Sequence, residues 1–135
     1  MLRNGKMTEK EAGLLNPLQL AYLGDTVWET LIRSELISRK LNVHHMHMEC
    51  VRYVSAQGQA GGLKQIQAFL SDPEAEIVRR GRNAHAKHPA PKNQDPGDYA
   101  AATGFEALLG YWYLTGQEER ILTCLNIILG GTENG

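Results

Sequence analysis

Nowhere in this chain does an apolar run approach the roughly 18 residues that a membrane-spanning helix requires. Its opening stretch, MLRNGKMTEKEAGLL, has no apolar core followed by a small-residue cleavage site, so no secretory leader is expected. Cysteine is scarce. Cys50 and Cys124 stand far apart, in neither a CxxC pair nor a metal-ligand spacing, which argues against a disulfide framework. These absences predict a reduced, cytoplasmic protein that does not associate with membranes. Net charge is nearly absent too, at −1. Nucleic-acid binders usually carry a basic face, because contacts to phosphates supply most of their affinity. The balance is uneven, however. From Ile77 to Gln94 there is no acidic residue, while Arg79, Arg80, Arg82, Lys87 and Lys92 fall in that window with His85 and His88. Such a segment is either a local polyanion site or a solvated basic loop.

What is present is helical periodicity. A chain of 135 residues makes a single domain, 1–135, able to bury about two-thirds of its unfolded surface. Asn16-Pro17 is a cap followed by proline, and Leu18, Tyr22, Leu23, Val27, Leu31 and Ile32 continue as a stripe spaced by threes and fours. A second helix is expected from Met46 to Gln59, broken by Gly61-Gly62, and a third around Leu63 to Leu70. Asp72-Pro73 opens a short helix through Val78. The segment from His88 to Gly97 holds three prolines and a glycine and reads as irregular. Asp98 then caps a helix from Tyr99 to Leu114, and Glu118 to Leu129 forms the last, stopped by Gly130-Gly131. No credible strand occurs. The expectation is an all-α helical bundle interrupted by a basic, proline-rich loop at about 79–97.

Two carboxylates sit where stability alone would not put them. Asp25 lies mid-helix beside the apolar stripe and directly follows Gly24, and both residue types are poor helix formers. Glu106 is the only charge between Asp98 and Glu118, embedded in an apolar helix. A carboxylate on such a helix is costly to bury unless it is paired or binds a cation. Two of them, from helices that must pack together, suit magnesium, which takes one or two protein carboxylates and completes its shell with water and phosphate oxygens. The plainer alternative for each is an ion pair with Arg33 or an arginine of the basic segment. Glu29, a turn beyond Asp25, could reach the same site or pair with Arg33 four residues on.

At these residues the chain resembles the ribonuclease III catalytic domain. Leu20-Ala-Tyr-Leu-Gly-Asp-Thr-Val-Trp-Glu29 is similar to the signature helix of that family, and Thr103-Gly-Phe-Glu-Ala-Leu-Leu-Gly110 to its second acidic helix. Arg79-Arg-Gly-Arg-Asn83 falls where the family has a basic, glycine-containing turn. The resemblance runs from about Pro17 to Leu129. It is closest to the Mini-ribonuclease III subgroup, which has this length, the Arg80–Asn83 and Pro91–Asn93 loop motifs, and no appended RNA-binding domain. Two of the family's four acidic positions are absent, being Ala21 and Thr103 here, a reduction that the subgroup shares.

The resemblance implies a ribonuclease III-like fold and a homodimer cutting both strands of double-stranded RNA. It implies Mg2+ held by Asp25 and Glu106 as catalytic ligands, with 5′-phosphate and 3′-hydroxyl products. It also implies maturation of a large-subunit ribosomal RNA precursor, with room for a ribosomal protein that presents the substrate. Arg80, Arg82, Asn83, Lys87, Lys92 and Asn93 would be the RNA clamp. The competing reading is a non-catalytic RNA-binding or scaffold protein that retains the fold, and Ala21 and Thr103 favour it.

Weaker signals remain. His44, His45 and His47 with Glu49 and Cys50 form a dense cluster of potential zinc ligands without a matching second half, and read as a surface turn leading into a helix. Phe105, Tyr111, Trp112 and Tyr113 read as core or subunit interface rather than stacking platforms. Ser55, Gln57, Gln59, Gln65 and Gln67 give the middle helices a polar side that either faces phosphates or is solvated.

Overall fold

The computed structural model describes residues 7–84 and 90–133, and Lys87, one of the expected RNA contacts, lies outside them. Within the described residues the fold is all-α, with helices α1 (Glu9–Gly13), α2 (Pro17–Ser38), α3 (Val43–Val54), α4 (Ala56–Ile66), α5 (Asp72–Asn83), α6 (Pro96–Leu114) and α7 (Glu118–Glu133) and a 3-10 turn at Gln67–Phe69.

Helix α6 is the axis of the assembly. It is apolar nearly all round, as a helix enclosed on every side must be, and α2, α5, α4, α7 and α1 all pack on it. Phe105, Leu108, Leu109 and Trp112 are completely buried. Phe105, Tyr111 and Trp112 of this helix are therefore core of their own chain, while Tyr99 and Tyr113 are partly exposed.

Several boundaries differ from the expectation, each for a local reason. The break between the second and third helices falls at Ser55, not at Gly61-Gly62. Ser55 is extended (φ −66°, ψ 161°) and its side chain caps α4 by accepting from the Gly58 N–H. The two glycines lie inside α4. Gly62 is there because a Cβ would stand 2.9 Å from Ile128 Cδ1 of α7. Ser71 rather than Asp72 caps α5, in a capping box with Glu74, and the helix continues to Asn83. Hence Arg79, Arg80, Arg82 and Asn83 ride on a helix, not on a loop. Asp95, not Asp98, caps α6, so Pro96 and Gly97 form its first turn rather than the end of an irregular segment. Helix α7 runs past Gly130-Gly131 to Glu133.

One buried ion pair ties the far side together. Glu74 is only 4% exposed. It accepts from the Ser71 N–H (2.8 Å), from Trp112 Nε1 (2.7 Å) and from the Arg120 guanidinium, whose Nε lies 2.9 Å away. Arg120 also lies over the Phe69 ring, 3.8 Å from its centroid. Burial pushes the Glu74 carboxyl up, but the hydrogen bonds from Arg120, Ser71 and Trp112 outweigh it and hold it below the ordinary range.

Candidate active site

Helices α2 and α6 approach so closely that backbone touches backbone. A Cβ on Gly24 would stand 1.7 Å from the Glu106 carbonyl oxygen, and one on Gly110 would stand 2.0 Å from that of Leu20. The glycine before Asp25, which helix propensity disfavours, is thus required by the crossing. On the inner side of the crossing, Trp28 and Phe105 pack edge to face with centroids 4.9 Å apart, and Trp28 Nε1 donates to the Tyr53 carbonyl at 2.9 Å. That lock sets the rotation of both helices and turns Asp25 and Glu106 toward the same side.

There the two carboxylates line one cavity of about 370 Å³, together with Ala21, Gln59, Tyr99 and Thr103. Asp25 is exposed, while Glu106 is half-buried. The expectation that both would be buried holds for Glu106 alone. Burial pushes the Glu106 carboxyl up to about 8, and Asp25 adds to this by facing it within hydrogen-bonding reach. The single opposing influence is Gln59, whose Nε2 donates to Glu106 Oε2 at 3.3 Å. The contrast with Glu74 is direct. That buried glutamate has an arginine and lies below the ordinary range, whereas Glu106 has a second carboxylate and a neutral amide and lies above it. Neither Asp25 nor Glu106 makes the ion pair with Arg33 considered from the sequence, because Arg33 pairs with Glu29 at 2.6 Å.

The donor set is two carboxylates at a cavity wide enough for water and phosphate oxygens, which fits one hard divalent cation. Ala21 offers no donor, and the Thr103 hydroxyl donates to the Tyr99 carbonyl at 3.0 Å. The histidine cluster does not converge on a metal. His44, His45 and His47 are exposed on the first turns of α3, Cys50 is buried, and no set of three His, Cys, Asp or Glu among the described residues could hold an ion.

The basic residues separate into two kinds. Arg79 pairs with Glu76 at 2.5 Å, and Arg80, half-buried, donates to the Gly13 and Leu15 carbonyls at 2.5 and 3.1 Å. Arg80 therefore braces the α1–α2 turn. Arg82 and Asn83 are exposed at the end of α5, with the Arg82 stem lying over Gly104 of α6. Lys92 and Asn93 are exposed in the segment that leads into α6, next to Gln94, which lines the cavity.

The comparisons with known proteins bear on this arrangement. Residues 18–117 match the Ribonuclease III domain model, a span that includes both carboxylates and Arg80 to Asn93. The chain belongs to the ribonuclease III family. Its relatives in that family include the Mini-ribonuclease 3 of Symbiobacterium thermophilum, 47% identical over 90% of this chain and 93% of the relative. The Mini-ribonuclease 3 of Thermoanaerobacter sp. is 44% identical over 93% and 89%, and that of Staphylococcus aureus 39% identical over 86% and 88%. A protein of Fusobacterium nucleatum solved by X-ray crystallography shares the fold, with a TM-score of 0.82 and 28% identity over 93% of this chain and 99% of that one. Membership in the ribonuclease III family makes the chain a ribonuclease, and double-stranded RNA is the substrate of the family. No helix among the described residues is long and apolar enough to cross a membrane.

Proposed function

We propose that this ribonuclease hydrolyses double-stranded RNA with magnesium held by Asp25 and Glu106, leaving 5′-phosphate and 3′-hydroxyl ends, and that it matures a large-subunit ribosomal RNA precursor in the cytoplasm. The observation that carries the reading is the uncompensated acidic pair. Two carboxylates face each other across one cavity, held together by the backbone-to-backbone contact of α2 and α6, and the influences that act on Glu106 include no positive side chain. When bound there, magnesium supplies a hydrolytic water at neutral pH and neutralises charge on the phosphoryl oxygens. The chain's own residues do the positioning. Asp25 presents its oxygens from the rim, Glu106 from within, and the rigid α2–α6 contact fixes their separation. Arg82, Asn83, Lys92 and Asn93, on either side of the segment between α5 and α6, supply donors for the phosphates of an A-form duplex, whose regular spacing and 2′-hydroxyls are its readable features. Lys87 would join them.

A duplex has two strands and this chain carries one acidic pair, so the working form is a homodimer. From the sequence, Phe105, Tyr111, Trp112 and Tyr113 of α6 were left as core or subunit interface. Helix α6 is enclosed in its own chain, and exposed apolar side chains among the described residues instead include Tyr22 (85% exposed) and Ile37 on α2 and Val43, Met48 and Val51 on α3, besides Leu14 and Leu122. A ribosomal protein that presents the precursor would be a further partner.

The scaffold reading has one observation in its favour. Ala21 and Thr103 line the same cavity and contribute no carboxylate. Incubating the purified protein with long duplex RNA, with and without magnesium, decides the matter. Cleavage that needs the ion and leaves ends open to a 5′-phosphate-dependent exonuclease supports the nuclease. Tight binding without cleavage would establish the scaffold.

A further inference from the structure

We propose that Gln59 is the positioning residue of the acidic pair, its amide N–H holding the Glu106 carboxylate beside Asp25 so that both face one cation. The inference rests on the reading of Asp25 and Glu106 as a cation site. Gln59 sits on α4, which is neither of the two acidic helices, and is 2% exposed. Its Nε2 donates to two acceptors, Glu106 Oε2 at 3.3 Å and the Val54 carbonyl at 3.2 Å. Two acceptors on one side fix which way the amide points, because the flipped group would set oxygen against oxygen. The Oε1 is then left buried with no hydrogen-bond partner among the described residues.

An amide selected only to stabilise a core would be satisfied at both ends, since an orphaned buried acceptor costs stability. Here one end is sacrificed and the other is spent on Glu106. The chemistry of the brace matters as much as its place. Glutamate has several rotatable bonds, and beside Asp25 its carboxylate is repelled, so unsupported it would turn away from the pair. An arginine would hold it more strongly, as Arg120 holds Glu74, but would neutralise the charge that a cation must find. A neutral donor holds the carboxylate and leaves its charge available. Gln59 thus provides from a third helix part of the organisation that Ala21 and Thr103 cannot provide.

The test uses manganese alone, followed by electron paramagnetic resonance of the free ion, on the full chain and two variants. Gln59→Met keeps the shape without the N–H. Gln59→Asn keeps the amide but is one methylene too short to reach Glu106. Both should bind manganese about 10- to 100-fold more weakly than wild type, the usual effect of losing a partner that orients a metal ligand. Their KM for duplex RNA should be unchanged, and their lost turnover should return at high magnesium, which repair of a merely structural defect would not do. Should Gln59→Met fail to fold, Gln59→Asn carries the test. Wild-type manganese affinity in either folded variant overturns the proposal, as does lost cleavage that excess magnesium does not restore. Asp25→Asn is the control. If it too binds manganese normally, the cation-site reading itself falls; if it loses binding while the Gln59 variants keep it, only the role of Gln59 falls.

Discussion

Gly24 lies directly against the main-chain carbonyl of Glu106, closer than any side chain would allow. Because the obstacle is backbone and cannot rotate aside, Gly24→Ala must push α2 and α6 apart. Overpacking of this kind costs about 1–3 kcal/mol, and urea unfolding should show at least that loss. Cleavage should fall further than stability accounts for, since the carboxylates separate with the helices. Gly61→Ala is the matched control. Nothing stands within 4 Å of a Cβ there, so the same substitution in α4 should stabilise by about 0.5–1 kcal/mol through helix propensity.

The acidic pair should separate function from folding. Asp25→Asn and Glu106→Gln each remove one of two mutually repelling groups, so neither should lower the unfolding temperature in the absence of divalent ions. Each should reduce cleavage by several powers of ten, because electrostatic stabilisation in such a site is a leading catalytic contribution. The double variant should be little worse than either single one. A folded Asp25→Asn protein that turns over normally would remove Asp25 from the mechanism.

Glu74 gives the protein a defined acid sensitivity. Its folded carboxyl lies below the ordinary value of 4.5, so its contribution is present above that value and is lost as pH falls below it. Arg120→Met leaves the carboxylate buried without its cation and should cost about 3–5 kcal/mol at neutral pH. With burial unopposed, Glu74 then takes up a proton more readily, and the gap between variant and wild type should narrow on acidification. Unfolding curves followed from neutral pH down to about pH 3 test this. A gap independent of pH would show that Arg120 acts by packing on Phe69 rather than by charge.

The basic residues should divide by what they touch. Replacing Arg82 or Lys92 with alanine should lower the slope of log affinity against log salt by about one unit per lost phosphate contact, with stability unchanged. Arg80→Ala should do the reverse, loosening the α1–α2 turn by freeing the Gly13 and Leu15 carbonyls while barely moving the slope. Duplex binding across a salt series without magnesium measures both.

Periodicity and caps were enough to reveal the long helices α2, α6 and α7 and the two carboxylates, though not the short α1, because apolar spacing and a lone charge are properties of a single segment. What escaped depends on pairs of segments. Gly61 and Gly62 look like a stop until α7 is seen packing on Gly62. Arg80 looks like its neighbour Arg82 until the turn it braces is in place. Gln59 was one of four similar glutamines, and nothing local distinguishes the one that meets Glu106. Glu74 and Arg120 lie far apart in sequence, and neither spacing nor composition pairs them.

The enclosure of α6 also has a consequence for biosynthesis. This helix occupies positions 96 to 114 of a 135-residue chain, and four of the five helices before it, α1, α2, α4 and α5, pack on it. As the chain leaves the ribosome, α2, α3 and α4 can meet one another, but the faces that α1, α2, α4 and α5 turn to α6 have no partner until it follows them out. Stable packing of those four helices therefore waits on α6, and a nascent chain that ends before it leaves their inward apolar faces uncovered.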